Sequence, residues 1–362
     1  MRKLNYFRSF FLAATLAITS LGFTSCDDNN DGPSGAYSED GVFIVNEGNF
    51  GTPNGSISYY NSNSNEVQNG IFSTVNENRP LGDVAQNMVV HGDRAFIVVN
   101  NSNKIEVVNA ATFKSEGVVE GLSAPRYFVA LNNDKGYVTE WLPANADWSY
   151  NKGRVSVIDL KSYSVVKTIE VDVQPEQLLI ANGKLYVTNQ GSDKVTVINT
   201  ANDAVESSIT VTYGPNSLAL DRNNTLWVLS SGNKDWNLPQ SEHTAGALSK
   251  INVSNNTVSS TIIFPNVTAS AGKLVTNGSK DKLYFIYNGG VHQQDISATT
   301  LNETPLIDRS FYGLGVDPDN GNIYGGDENN WSGDGTVYVY NSNGTQITTF
   351  KVGVGPNGFV FN

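Results

Sequence analysis

One pattern, returning about every 40 to 55 residues, limits what this chain can fold into more than any other feature. Its cleanest copy, GKLYVTNQGSDKVTVINTANDAVESSITVTYGPNSLALD, runs from Gly183 to Asp221. It holds an alternating strand (Leu185 to Asn189), a polar turn and a second strand (Val195 to Asn199). A third strand follows (Ser207 to Val211), then a Gly-Pro loop and a short apolar strand (Ser217 to Leu220). Four antiparallel strands per repeat are the signature of a β-propeller blade. With 34 glycines and no long segment of helical period, the composition is all-β.

The short strand after each Gly-Pro-like loop marks the register. Candidates are Asn87 to Val90, Tyr127 to Leu131, Gln177 to Ile180, Ser217 to Leu220, Lys273 to Thr276, Gly313 to Val316 and Gly358 to Phe361. Small or apolar residues dominate them, as expected of innermost strands packed near an axis. The turns that follow, such as Asn182-Gly183 and Asp221 to Asn224, use residues that tolerate left-handed backbone angles. Val42 to Asn46 reads as a second strand with no inner strand before it, and Gly358 to Phe361 as an inner strand with none after it. The sequence therefore predicts seven four-stranded antiparallel blades over residues 41–362, with the C-terminal strand completing the first blade and hiding its edge.

Residues 1–25 read as an export signal: Arg2, Lys3 and Arg8, then an apolar stretch from Phe10 to Leu21, then small residues before Cys26. This ending resembles the bacterial lipobox, although Phe23 stands where Leu is usual. The resemblance implies lipidation of Cys26, the only cysteine, and anchoring to a membrane through it. Residues 26–40 form an acidic, flexible tether. An acidic run behind such a cysteine resembles the surface-export signal of certain anaerobic gut bacteria, which implies an outer-membrane lipoprotein exposed on the cell surface. Without residues 1–25 the chain keeps 20 basic against 35 acidic residues, near −15. No basic stripe exists, so nucleic acid is not an expected partner.

LYVTNQGSDKVTVINTANDAV and the Gly-Pro-Asn-Ser loop resemble the YncE-type and NHL-like propellers, along residues 41–362. Propeller plus lipoprotein leader resembles the BtuG-type lipoproteins. That resemblance implies capture of cobalamin or a related corrinoid and its delivery to an outer-membrane transporter.

In such a blade, connections from second to third strand share a face with those leading to the next blade. Four of them are long: Glu47 to Gly55, Glu140 to Gly153, Ser230 to Gly246 and Asp327 to Gly335. Loops of this length in a domain are usually functional or disordered. They carry Trp141, Trp148, Trp236 and Trp331, together with Phe50 and Tyr150, whereas Trp227 lies in a strand and reads as core. Indole faces on polar loops suit a planar ligand or a sugar ring. Arg126, Tyr127, Glu176, Gln177, Tyr213, Asn216, Tyr312 and Asn357, with Asn87 and Asn288, are expected to ring the channel mouth and to hydrogen-bond a ligand rich in amides. The competing expectation is that the Asn and Gln side chains serve only the loop backbone.

His243 is the one histidine placed to reach a ligand; His91 and His292 read as turn or strand residues. No metal spacing and no nucleophile-base set is visible, so neither metal nor cofactor is expected and the chain reads as a non-enzymatic binder. Asp327, Glu328 and Asp334 form a cation candidate, and Glu47, Glu140 and Asp327 at strand exits suggest an acidic mouth. A glycan- or peptide-binding accessory protein, a lactonase or quinoprotein enzyme, and a structural surface protein are the other readings of the same loops.

Overall fold

In the second strands nearly every residue is buried, because each strand is covered on both faces. In Gly41–Asn46, Val42 and Ile44 enter one apolar cluster while Phe43 and Val45 enter another. Arg94–Val99 does the same, with Phe96 and Val98 on one side and Ala95, Ile97 and Val99 on the other. A sheet sandwiched between two like sheets has no solvent face, so its strands read as continuous apolar runs.

The computed structural model describes residues 35–38, 41–147, 149–235 and 238–362. It shows seven antiparallel sheets. The first joins Pro356–Phe361 to Gly41–Asn46, Ser56–Asn61 and Glu66–Gln68, with Val42 opposite Phe361. C-terminal closure is therefore as the sequence predicts. Inner strands of the next six sheets are Ala85–His91, Pro125–Ala130, Pro175–Ala181, Pro215–Leu220, Ala271–Thr276 and Gly313–Val316. Each contacts the next, and Pro356–Phe361 contacts Ala85–His91, which closes the ring. Seven apolar clusters fill the seven interfaces between neighbouring sheets. Burial of these faces, at roughly 25 cal/mol per Å² of apolar surface, is the main force holding the blades together.

One blade departs in detail. Ala271–Thr276, Lys282–Tyr287 and Gly290–Asp295 form a three-stranded sheet, and a single bridge from Val291 to Ile307 stands at its outer edge. The segment there, LNETPLID, lacks strand alternation and contains Pro305, which cannot donate to a ladder. A five-residue helix, Ile71–Val75, tucks Ile71 and Phe72 under the first blade.

Polar stitches cross between blades. Tyr137 donates its hydroxyl to Asp203 Oδ1 at 2.6 Å, and Tyr186 to Asn256 Oδ1 at 2.8 Å. Both acceptors sit in outer turns with φ near +55°, a conformation Asn and Asp tolerate. Trp227 is fully buried, as expected of a core residue, and its indole donates to Asp221 Oδ2 at 2.9 Å.

Candidate functional site

Five of the seven inner strands open with a β-bulge against their second strand, and in Ala271–Thr276 the bulge comes later, between Gly272 and Val275. The opening residue is Ala85, Pro125, Pro175, Pro215, Ala271 or Pro356; proline is tolerated there because the first strand position needs no ladder donor. A bulge re-aims the side chain that follows. The residues so placed are Gln86, Arg126, Glu176, Asn216 and Asn357, and Gly272 holds the matching position in Ala271–Thr276. Tyr312, whose N–H bonds Gly326 O, holds the corresponding place in the remaining blade. Together they form one ring at the loop end of the axial channel.

Neighbouring members are bonded to one another. Arg126 donates from Nη1 to Gln86 Oε1 at 2.7 Å and from Nε to Glu176 Oε1 at 3.0 Å, with Nη2 completing the ion pair at 2.8 Å. Asn357 Nδ2 reaches Gln86 O at 3.3 Å and Glu47 Oε2 at 3.1 Å. Tyr312 donates its hydroxyl to the same Glu47 oxygen. Lys273, one residue beyond the ring, donates to Asn357 O at 3.1 Å. Burial raises the Glu176 carboxyl above the usual carboxylate range, against the pull of Arg126. Burial and then Glu176 push the Tyr127 phenol up to about 12. Burial, followed by the charge of Glu47, also raises Tyr312.

Two aromatic groups stand over this ring. Arg126 lies 4.6 Å from the Trp141 ring centroid, and Tyr150 meets that indole edge-on at 5.5 Å. The Trp141 N–H donates to Pro175 O at 3.0 Å, so the indole is tied to the next blade. Trp331, 37% exposed, packs edge-on against Tyr312 at 5.0 Å and covers Gly355. The structure thus brings Arg126, Tyr127, Glu176, Trp141 and Tyr150 into one network with Tyr312, Trp331 and Asn357.

Other expected residues do not join. Phe50 is 80% exposed on its loop. Tyr213 donates to Gly191 O at 3.0 Å, and His243 Nε2 lies 3.3 Å from Asp235 O of its own loop. Asn216 keeps its place in the ring but stays out of the side-chain network: it donates to Ala271 O at 2.9 Å, serving backbone as the competing expectation held. Trp148, Trp236 and Cys26 lie outside the described residues.

Of the three carboxylates expected to make the mouth acidic, only Glu47 stands at the ring. Glu140 is fully buried within its blade, accepting from Arg154 Nε and Nη2 at 3.0 and 2.8 Å and from the Ser156 hydroxyl. Asp327 pairs with Arg309 at 2.5 Å and accepts from Asn329 N. Among the described residues no group of three or more His, Cys, Asp or Glu side chains is arranged to hold a metal ion, the Asp327, Glu328 and Asp334 cluster included.

Gly272 leaves a gap in the ring, since a Cβ there would approach only Asn216 Oδ1, at 3.9 Å. Beside it a cleft of about 500 Å³ opens on the loop face, lined by Asn266, Ser270, Lys273, Asn288 and Phe311 among others. Gln86 and Lys273 were not among the expected site residues. The signal that finds them is positional: the first and second residues after each opening Ala or Pro.

A closed ring of seven sheets makes this a β-propeller protein, a class whose chemistry is set by its loop-face site and not by the fold. A narrower placement comes from sequence. A family model described as "Domain of unknown function (DUF5074)" matches residues 40–362, and the chain belongs to that family. It is also similar to the uncharacterized YncE proteins of Salmonella typhi and Salmonella typhimurium, 34% identical over 102 residues, or 27% of this chain. The chain spans 26% of the length of those curated relatives. Among solved structures, the periplasmic gluconolactonase PpgL of Pseudomonas aeruginosa aligns with a TM-score of 0.67 at 12% identity, over 89% of this chain and 99% of its own. A "Quinonprotein alcohol dehydrogenase-like protein" of Bacteroides thetaiotaomicron aligns at 0.66 and 15%, over 90% and 79%. At these identities the likeness is one of fold.

Proposed function

We propose that this propeller is a non-enzymatic ligand-capture protein, held on the cell surface by a lipid on Cys26, with a corrinoid as its cargo for an outer-membrane transporter. The observation that carries the binding reading is the hydrogen-bonded ring beneath two anchored indoles. Arg126, Glu176, Gln86, Asn357, Glu47 and Tyr312 hold one another in place, so little ordering entropy is lost when a ligand docks. The cleft beside Gly272 adds amide and hydroxyl groups, suited to a cargo bearing many amides. Corrinoid identity rests on the likeness to BtuG-type lipoproteins. The carboxylates of the ring are committed to Arg126, Asn357 and Tyr312, which favours binding over acid-base catalysis of the lactonase or dehydrogenase kind.

A second reading, glycan capture, draws on the exposed flank of Trp331. Titration with cyanocobalamin, followed by tryptophan fluorescence, separates the two. Saturable quenching, weakened about tenfold or more in a Trp141→Ala, Trp331→Ala double variant, is the result expected. No quenching at micromolar ligand dismisses the corrinoid, and an oligosaccharide panel then tests the second reading.

A further inference from the structure

Below the ring, the axial channel changes character twice. Its upper chamber, about 120 Å³, is lined by Gln86 and Asn357 of the ring and by Asn87, Tyr127, Gln177 and Lys273, with apolar neighbours. At roughly 30 Å³ per water it has room for a group of a few heavy atoms. The lower chamber, about 460 Å³, opens on the opposite face of the propeller and is lined mainly by apolar side chains, among them Leu179, Leu218, Val316 and Phe361, with Lys280 as its one charged group. The two share Gln177, Leu274, Val275, Leu314 and Phe359, so they are continuous.

The upper chamber presents donors. Asn87 Oδ1 already accepts from Phe128 N at 3.2 Å, and Gln177 Oε1 from Leu218 N at 2.9 Å. Each amide oxygen is thereby fixed against the next blade, which leaves the NH₂ group to the channel. Lys273 Nζ makes one hydrogen bond, to Asn357 O, and no salt bridge within 4 Å among the described residues. It is the only charged side chain lining the chamber; Glu47, Glu176 and Arg126 stand outside the lining. Lys273 also sits at φ +61°, a backbone conformation costly for a residue with a side chain and often retained where function requires it. Burial draws its ammonium below the usual lysine range, against Glu47 and Glu176.

From this geometry we infer that the channel is a second binding site, for an amphipathic monocarboxylate that enters from the face opposite the loops. Its carboxylate accepts from Lys273, Asn87 and Gln177, and its hydrocarbon chain lies among Leu218, Leu274, Leu314 and Phe359. A buried ammonium bonded to a single carbonyl, with the Tyr312 ring centroid 5.4 Å away, gains a carboxylate partner when that head arrives. The apolar chamber gains stability in the same event by losing water. This site meets the loop-face cleft at Lys273, which lines both, but does not depend on the corrinoid reading.

Calorimetric titration of the whole chain with octanoate, 1-octanol and acetate tests it. Octanoate should bind with one-to-one stoichiometry, at least about tenfold more tightly than octanol, which lacks the charge, or acetate, which lacks the tail. Lys273→Met should weaken octanoate about tenfold or more. Gln177→Glu should do the same, because Glu keeps the acceptor for Leu218 N while placing a negative charge among the donors; it carries the test if the lysine variant does not fold. Octanol binding as tightly as octanoate, unchanged affinity in either folded variant, or no saturable heat overturns the inference. Octanoate binding by a chain that shows no cyanocobalamin quenching would leave this inference standing, so failure of one reading is told apart from failure of the other.

Discussion

Glu106 and Glu176 are both buried, yet the blade and the channel treat them differently. Glu106 is fully buried inside the second blade and accepts from Arg79 at 2.7 and 3.1 Å, Lys104 at 2.8 Å and Ser115 at 2.6 Å. Burial on its own would raise that carboxyl, but the hydrogen bonds from Arg79, Lys104 and Ser115 outweigh it and hold it below the usual range. Glu176 has one cationic partner in direct contact, Arg126, and burial wins. In the blade, donors exceed what the charge needs, and the group stabilises the fold. In the channel the charge is under-compensated, which is how binding sites commonly differ from scaffold.

The largest effect that can break this comparison is loss of the blade carboxylate. Glu106→Gln sets an amide donor against two cations and a hydroxyl, and should lower unfolding free energy by about 3 kcal/mol in denaturant titration. This is the lower end for a broken buried pair, because Arg79 is 41% exposed and can regain water. Glu176→Gln keeps an oxygen for Arg126 Nε and Nη2 and should cost only about 1 kcal/mol. Equal losses would show that the two sites are energetically alike.

A pH series sharpens the same contrast. Glu106, lowered in the fold, contributes stability that is full above the reference value of 4.5 and is lost as pH falls through its folded value. Glu176, raised in the fold, acts in the opposite sense: stability is greatest below 4.5 and declines as pH rises through its folded value. Chemical denaturation from pH 3 to 7, a range spanning about two units either side of the carboxylate reference, should therefore show a shallower acid limb for Glu106→Gln. Glu176→Gln should remove the decline above 4.5 while leaving the acid limb intact. A smaller effect is expected from the tyrosine stitch between blades. Tyr137→Phe removes one hydroxyl bond to Asp203 and should cost about 1 kcal/mol, a fall in Tm of about 2 °C.

Much of the architecture could be read from residues because the second strands are buried on both sides. Val42 to Asn46 and Leu185 to Asn189 admit few polar groups, and the asymmetry between Val42 and Phe361 announces closure. The mouth was harder to read. Prolines located the loops correctly, and so Arg126, Glu176 and Asn357 were found. A bulge, however, has no mark of its own in sequence, and Lys273 within AGKLVT looks like an ordinary strand residue. Glu140 misled for the opposite reason: it stands at a strand exit, but Arg154 and Ser156 on the next strand draw it into the blade. Trp141 was placed on the right face, yet its N–H is used by Pro175 O, a contact between blades that no local pattern reveals.

The pairing of Val42 with Phe361 has a kinetic cost. Those partners lie far apart in the sequence, so no order of assembly can seal the circle before Pro356–Phe361 is available. At synthesis rates of roughly 5–20 residues per second, the edge at Gly41–Asn46 waits on the order of 15–60 s after its own emergence. Until then it is a bare template for any passing strand, and the most vulnerable moment for this ring comes just before Pro356–Phe361 docks.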